Sequence, residues 1–178
     1  MKDERFDPDH ILATLNRHQV RYVVIGGLAG NLRGTPVVTH DLDLCYDRAR
    51  DNLDHLVAAL AELRAELRVD RKVDDVEFPL DARALTLGDT FTLRTPYGAL
   101  DIFGTPSGTA GYQDLIAGAT RYELAEGLQV DVAGLDDLVR MKVAGQRPTD
   151  IAHLAHLEAL RDEIERARAD GIDPQQGV

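Results

Sequence analysis

The sequence predicts an α/β chain of the α+β kind, with strands in its first three quarters and helices gathered at its C-terminal end. Three observations carry this. Short apolar runs bounded by glycine and proline recur between residues 20 and 132. Apolar residues at helical spacing mark residues 7–18 and 51–67. From residue 135 onward the pattern is helical alone.

Taken in order, Asp7-Pro8 opens a first helix, because proline fits the first turn, and Ile11, Leu12, Leu15 and His18 follow at helical spacing. Residues 20–25 read as a buried strand ending at Gly26-Gly27. A short helix over 28–33 is stopped by Gly34-Thr35-Pro36. Residues 37–46 form a second strand, whose alternation puts Leu42 and Leu44 on one face and Asp41, Asp43 and Cys45 on the other. Asp51-Asn52 offers an N-cap for a helix reaching Leu67, with Leu53, Leu56, Val57, Leu60 and Leu63 in its apolar stripe. Residues 69–80 are charged and aperiodic, hence an exposed loop.

Strands over 90–95 and 99–103 flank the turn Pro96-Tyr97-Gly98 and form a hairpin. A short helix over 112–117 precedes two more strands, 121–124 and 128–132, joined at Gly127. Leu135, Leu138, Val139 and Lys142 lie on a helix that breaks at 145–148. A longer helix covers 149–169, and 170–178 is a frayed tail.

Composition limits the function. The chain has 178 residues with 31 acidic and 20 basic side chains, a net charge of −11. Such a charge excludes a general DNA-coating role, which depends on neutralising phosphates, but leaves room for a local basic groove. Cys45 is the only cysteine, so neither an internal disulfide nor a cysteine zinc cluster forms. No apolar run approaches a membrane span, and the first residues lack the apolar core of a signal peptide. A cytoplasmic protein is expected.

The chemistry lies in three features in one order: a strand running into Gly26-Gly27 and a short helix, a strand carrying Asp41-Leu42-Asp43, and a strand carrying Leu100-Asp101-Ile102. Each alone is commonplace: a solvated strand face, a turn, an edge charge that deters aggregation. Together they match what nucleotidyl transfer needs. Carboxylates spaced i, i+2 on one strand converge, and hard oxygen ligands suit Mg²⁺. A third carboxylate from another strand completes a two-metal site. The glycines let backbone approach phosphate, and the helix start supplies N–H groups. Three converging carboxylates would repel one another without a cation.

On these residues the sequence resembles the nucleotidyltransferase superfamily with the polymerase-β-like fold. Through the second cluster Leu138-Val139-Arg140-Met141-Lys142 to Gln146-Arg147-Pro148-Thr149-Asp150, it is more narrowly similar to the AbiEii/MenT-type nucleotidyltransferase toxins of bacterial toxin–antitoxin systems. The resemblance implies a mixed β-sheet core over 1–133 flanked by helices, and a C-terminal helical segment, 134–178, packed on it. It implies Asp41, Asp43 and Asp101 as Mg²⁺ or Mn²⁺ ligands, with Asp101 helping to deprotonate the acceptor. Gly26, Gly27, Thr39, Lys142 and Arg147 would meet the nucleotide, Thr39 either touching phosphate or holding the Asp41 strand. Asp150 would orient Lys142 or Arg147. Many relatives carry an arginine where this chain has Val37, which leaves Arg33 as a candidate substitute.

Plainer readings exist for the second cluster. Lys142 and Arg147 suit a solvated helix end, and Asp150 suits a first turn. His153 and His156 read as a solvated face, His40 as pointing away from the acids, and Cys45 as small packing. The expected substrate is an NTP, and the expected acceptor under the toxin resemblance is a tRNA 3′ end, with a cognate antitoxin protein as partner. Arg33, Arg48, Arg50, Lys142 and Arg147 would offset the acidic charge locally. A protein hydroxyl, an aminoglycoside-like small molecule and a non-catalytic binding module of the same fold are the alternatives.

Overall fold

In the computed structural model, residues 6–68, 79–145 and 148–170 are described. Seven strands form one mixed sheet: β1 (Tyr22–Ile25), β2 (Asp41–Tyr46), β3 (Glu66–Leu67), β4 (Thr90–Thr95), β5 (Gly98–Phe103), β6 (Thr120–Ala125) and β7 (Leu128–Val132), in the order β3-β4-β5-β2-β1-β7-β6. The helices are α1 (Pro8–Arg17), α2 (Gly26–Arg33), α3 (Arg50–Glu62), α4 (Ala82–Leu87), α5 (Tyr112–Gly118), α6 (Leu135–Gly145) and α7 (Pro148–Ala169). β1 pairs antiparallel with β2 and parallel with β7, and β2 pairs parallel with β5. The expected fold class is the one observed.

Alternation sorts the sheet's two faces. Leu42, Leu44, Leu93, Leu100 and Ile102 are buried on one face, where they join Ile11, Leu12 and Leu15 of α1 and Leu53, Leu56 and Leu60 of α3 in one core. All four residues of β1 are buried, as a central strand covered on both faces requires. The opposite face of β2 and β5 carries the half-buried acids Asp41, Asp43 and Asp101.

Several local expectations need correction. β2 begins at Asp41 rather than residue 37, and residues 37–40 form no strand. α2 begins at Gly26 itself. The third helix stops at Glu62, because Arg64 takes a left-handed conformation (φ 50°) and the Ala65 amide donates back to the Leu60 carbonyl. Leu67 therefore belongs to β3, beside β4. Nor is Asn52 a cap. Its buried side chain accepts from the Arg21 amide and donates to the Arg21 and Asp47 carbonyls, tying the start of β1 to the end of β2. α4 was not anticipated; Asp81 caps it by accepting from the Ala84 amide at 2.7 Å. Of the expected loop, residues 69–78 lie outside the described residues, as do 171–178 of the tail. No described helix is long and apolar enough to cross a membrane.

Candidate active site

Register brings the three acids together. Asp43 is the direct neighbour of Asp101 on β5 and of Ile25 at the end of β1, while Asp41 lies two residues back on the same face. One oxygen from each of Asp41, Asp43 and Asp101 lies within 4.8 Å of the others. The set offers only carboxylate oxygens, the hard donors that Mg²⁺ prefers, and leaves positions for substrate oxygens. One Asp101 oxygen is shielded from solvent, which strengthens its electrostatic coupling to whatever charge stands beside it.

The glycine turn lies against this cluster. Gly26 has φ 69°, and a Cβ there would overlap the Asp43 carboxylate. A Cβ on Gly27 would come within 2.7 Å of Thr39 Oγ1. Both glycines thus permit close packing of the α2 start against the acid strand. Thr39 Oγ1 donates to Asp41 Oδ1 at 2.7 Å and approaches the Asp41 carbonyl at 3.1 Å, so of its two expected roles the described contacts fit holding Asp41.

Beside Asp43 and Gly26 opens a cavity of about 290 Å³, also lined by Lys142 from α6. Lys142 therefore shares a cavity with Asp43, although it follows it by 99 positions in the chain. Arg147 lies outside the described residues, as does the side chain of Asp150, which belongs to the first turn of α7.

Arg33, the candidate substitute for an arginine at position 37, is engaged elsewhere. It ends α2, the opposite end of that helix from Gly26, about 10 Å away at 1.5 Å per residue. There Nε donates to the Ala133 carbonyl at 2.5 Å, Nη2 donates to the Val132 carbonyl and Thr120 Oγ1, and the guanidinium lies 5.9 Å from the Tyr122 ring centroid. Burial pulls its pKa down. Arg33→Ala is expected to cost about 1.5–3 kcal/mol of stability through these charged hydrogen bonds, measured by urea unfolding, while leaving nucleotide binding unchanged. Arg48 is likewise engaged, donating to Asp89 Oδ1 at 2.8 Å and to the Thr86 carbonyl.

Sequence reasoning missed the rest of the cavity wall: Asp89, Thr90, Phe103 and the loop residues Thr105, Pro106 and Ser107. The available signal was faint, a set of ordinary turn residues after two strands. Arg140 ties this loop region to α6: it donates to Asp137 at 3.0 Å and to Asp114 at 2.7 Å, and Asp114 accepts from the Ala110 amide. That amide and the guanidinium hold the Asp114 carboxyl below its usual pKa range. Cys45 is fully buried, with Sγ 3.7 Å from the Gly104 carbonyl, and burial pushes its thiol up to about 12, which removes it as a nucleophile. His40 is exposed.

No family model matches the sequence, and no curated protein matches it either. Solved structures do. The lincosamide antibiotic adenylyltransferase LnuA, with lincomycin bound, superimposes with a TM-score of 0.56 at 12% identity, over 88% of this chain and 98% of that one. ANT(2")-Ia, in complex with adenylyl-2"-tobramycin, gives a TM-score of 0.52 at 17% identity, over 90% and 91%. The chain has the fold of these nucleotidyltransferases, matched across nearly the whole length of both.

Proposed function

We propose that this protein is a metal-dependent nucleotidyltransferase that moves an NMP from an NTP to an acceptor hydroxyl and releases pyrophosphate. One observation carries the reading: carboxylates from two neighbouring strands meet within 4.8 Å, beside a glycine turn that has room for nothing larger. Asp41, Asp43 and Asp101 would hold Mg²⁺. When bound, the ion supplies charge that steadies the triphosphate and lowers the acidity barrier of the acceptor.

The chain's own groups then have distinct tasks. Asp101 takes the proton from the acceptor hydroxyl. The acceptor oxygen bonds to the α-phosphorus as the bond from that phosphorus to the bridging oxygen breaks, and pyrophosphate leaves with the electron pair. Thr39 keeps the Asp41 carboxylate aimed. Gly26 and Gly27 let the backbone of α2 approach the phosphates, and Lys142, which lines the same cavity, meets the triphosphate, with Arg147 adding charge and Asp150 orienting them.

For the acceptor, the toxin resemblance favours a tRNA 3′ end, with an antitoxin protein restraining the enzyme. A second reading, a cationic small molecule, is supported by the net charge of −11 and by the antibiotics held by LnuA and ANT(2")-Ia. Incubation with each labelled NTP, Mg²⁺, total tRNA, cell lysate and an aminoglycoside separates them. Label on tRNA, lost with Asp41→Ala, is the expected result. Label on the aminoglycoside alone selects the second reading, and label on nothing ends the enzymatic case.

A further inference from the structure

The register of the sheet extends the acid row beyond Asp101. Asp101 stands opposite Thr92 on β4, and the Arg68 amide, one residue past β3, donates to the Thr92 carbonyl at 2.9 Å. One cross-sheet row therefore reads Arg68, Thr92, Asp101, Asp43. The next row reads Glu66, Arg94, Ala99, Asp41. Side chains in such rows share a face, and the ion pair from Arg94 to Glu66 at 2.7 Å shows which side chains share it. With strands about 4.8 Å apart, Arg68 lies about 10 Å from Asp101, and Arg94 is its diagonal neighbour at about 7–8 Å.

Arg68 and Arg94 are exposed, and Ala99 between Arg94 and the acids has no side chain long enough to block the path. The cavity holding Lys142 opens beside Asp43 and runs to Phe103 and Thr105, toward the other end of β5. If the triphosphate lies there, the acceptor reaches Asp101 from the β3–β4 side. The acid row would repel an anionic acceptor, so a strand of phosphates needs compensating cations at this approach. Arg68 in the row of Asp101 and Asp43, and Arg94 in the row of Asp41, supply them.

We infer that the face of β3 and β4 bearing Arg68 and Arg94 is the acceptor platform, and that it takes the phosphodiester backbone of an RNA strand whose terminal hydroxyl lies at Asp101. The inference rests on the nucleotidyl-transfer reading for the role of Asp101. Glu66 is the opposing charge. Its pair with Arg94 leaves both side chains more than 60% exposed, and such surface pairs are weak enough for a phosphate to take the arginine over.

The test is a binding titration of fluorescein-labelled tRNA, read by anisotropy, on the full chain. R68E combined with R94E is expected to weaken binding about tenfold or more and to flatten the dependence of affinity on salt. R121E, one such charge reversal at the exposed Arg121 of β6, is expected to leave binding within about twofold of wild type. The thermal shift produced by NTP and Mg²⁺ stays unchanged in all variants. Wild type that binds no tRNA, or a double variant that binds as well as R121E, overturns the platform. Failure of the nucleotidyl-transfer reading would show separately, as wild type that labels no acceptor from any NTP while the titration still reports on the arginines.

Discussion

Asp43→Asn is expected to lower nucleotide transfer to about a thousandth of wild type or less, and at the same time to make the metal-free protein more stable. The two effects have one cause. Asp43 is the middle member of the trio, in register with Asp101 and next but one to Asp41. In the proposed reaction its loss would remove a metal ligand whose contribution to the transition state is on the order of several kcal/mol, and each 1.36 kcal/mol is a factor of ten in rate. Without metal, however, three carboxylates within 4.8 Å repel one another, and the neutral amide relieves that repulsion. Thermal scans separate this from simple damage. Wild type should gain stability on adding Mg²⁺ or Mn²⁺, since a ligand that binds only the folded state raises the midpoint. Asp43→Asn should start higher and gain little. A variant that melts lower and responds to metal like wild type would show that residue 43 is a structural acid and that the ion lies elsewhere.

The part of this site that was legible in the sequence is the part set by short-range periodicity. Asp41 and Asp43 had to share a face because strand side chains alternate, and Leu42 and Leu44 fixed which face was core. Gly26-Gly27 after an apolar strand suggested close approach of backbone to phosphate; the contacts seen there are with the Asp43 and Thr39 side chains. What could not be read depends on partners far along the chain. Arg33 looked free to reach the acids. It is held by Thr120, Val132 and Ala133, about a hundred residues away. Asn52 looked like a cap because asparagine prefers caps, yet tertiary hydrogen bonds to Arg21 and Asp47 claimed it. The end of α3 at Glu62 had no glycine to announce it, and an arginine with φ 50° two residues on is not a turn signal. The row from Asp43 through Asp101 and Thr92 to Arg68 was invisible for the same reason, since register between strands is a property of the sheet and not of any one segment.

Gly26→Ala should lose both stability and nucleotide binding, and a paired variant divides the causes. At φ 69° an L-residue is strained, and such backbone strain costs about 1–3 kcal/mol. Gly127 has φ 75° with nothing within 4 Å of an added Cβ, so Gly127→Ala reports the backbone contribution alone. Gly26→Ala carries in addition an overlap with the Asp43 carboxylate, which must move. That carboxylate is also bound by the register of β2 against β1 and β5, so the α2 start has to retreat instead, or the acid has to leave the cluster. Either movement changes the placing of the helix N–H groups against the acid cluster, and a displacement of about 1 Å in a catalytic constellation lowers rates about a hundredfold. Urea unfolding should therefore place Gly26→Ala below Gly127→Ala, and only the former should lose the thermal shift produced by NTP with Mg²⁺. Equal losses of stability, with the nucleotide response intact in both, would mean that the turn bends the chain there without shaping the site.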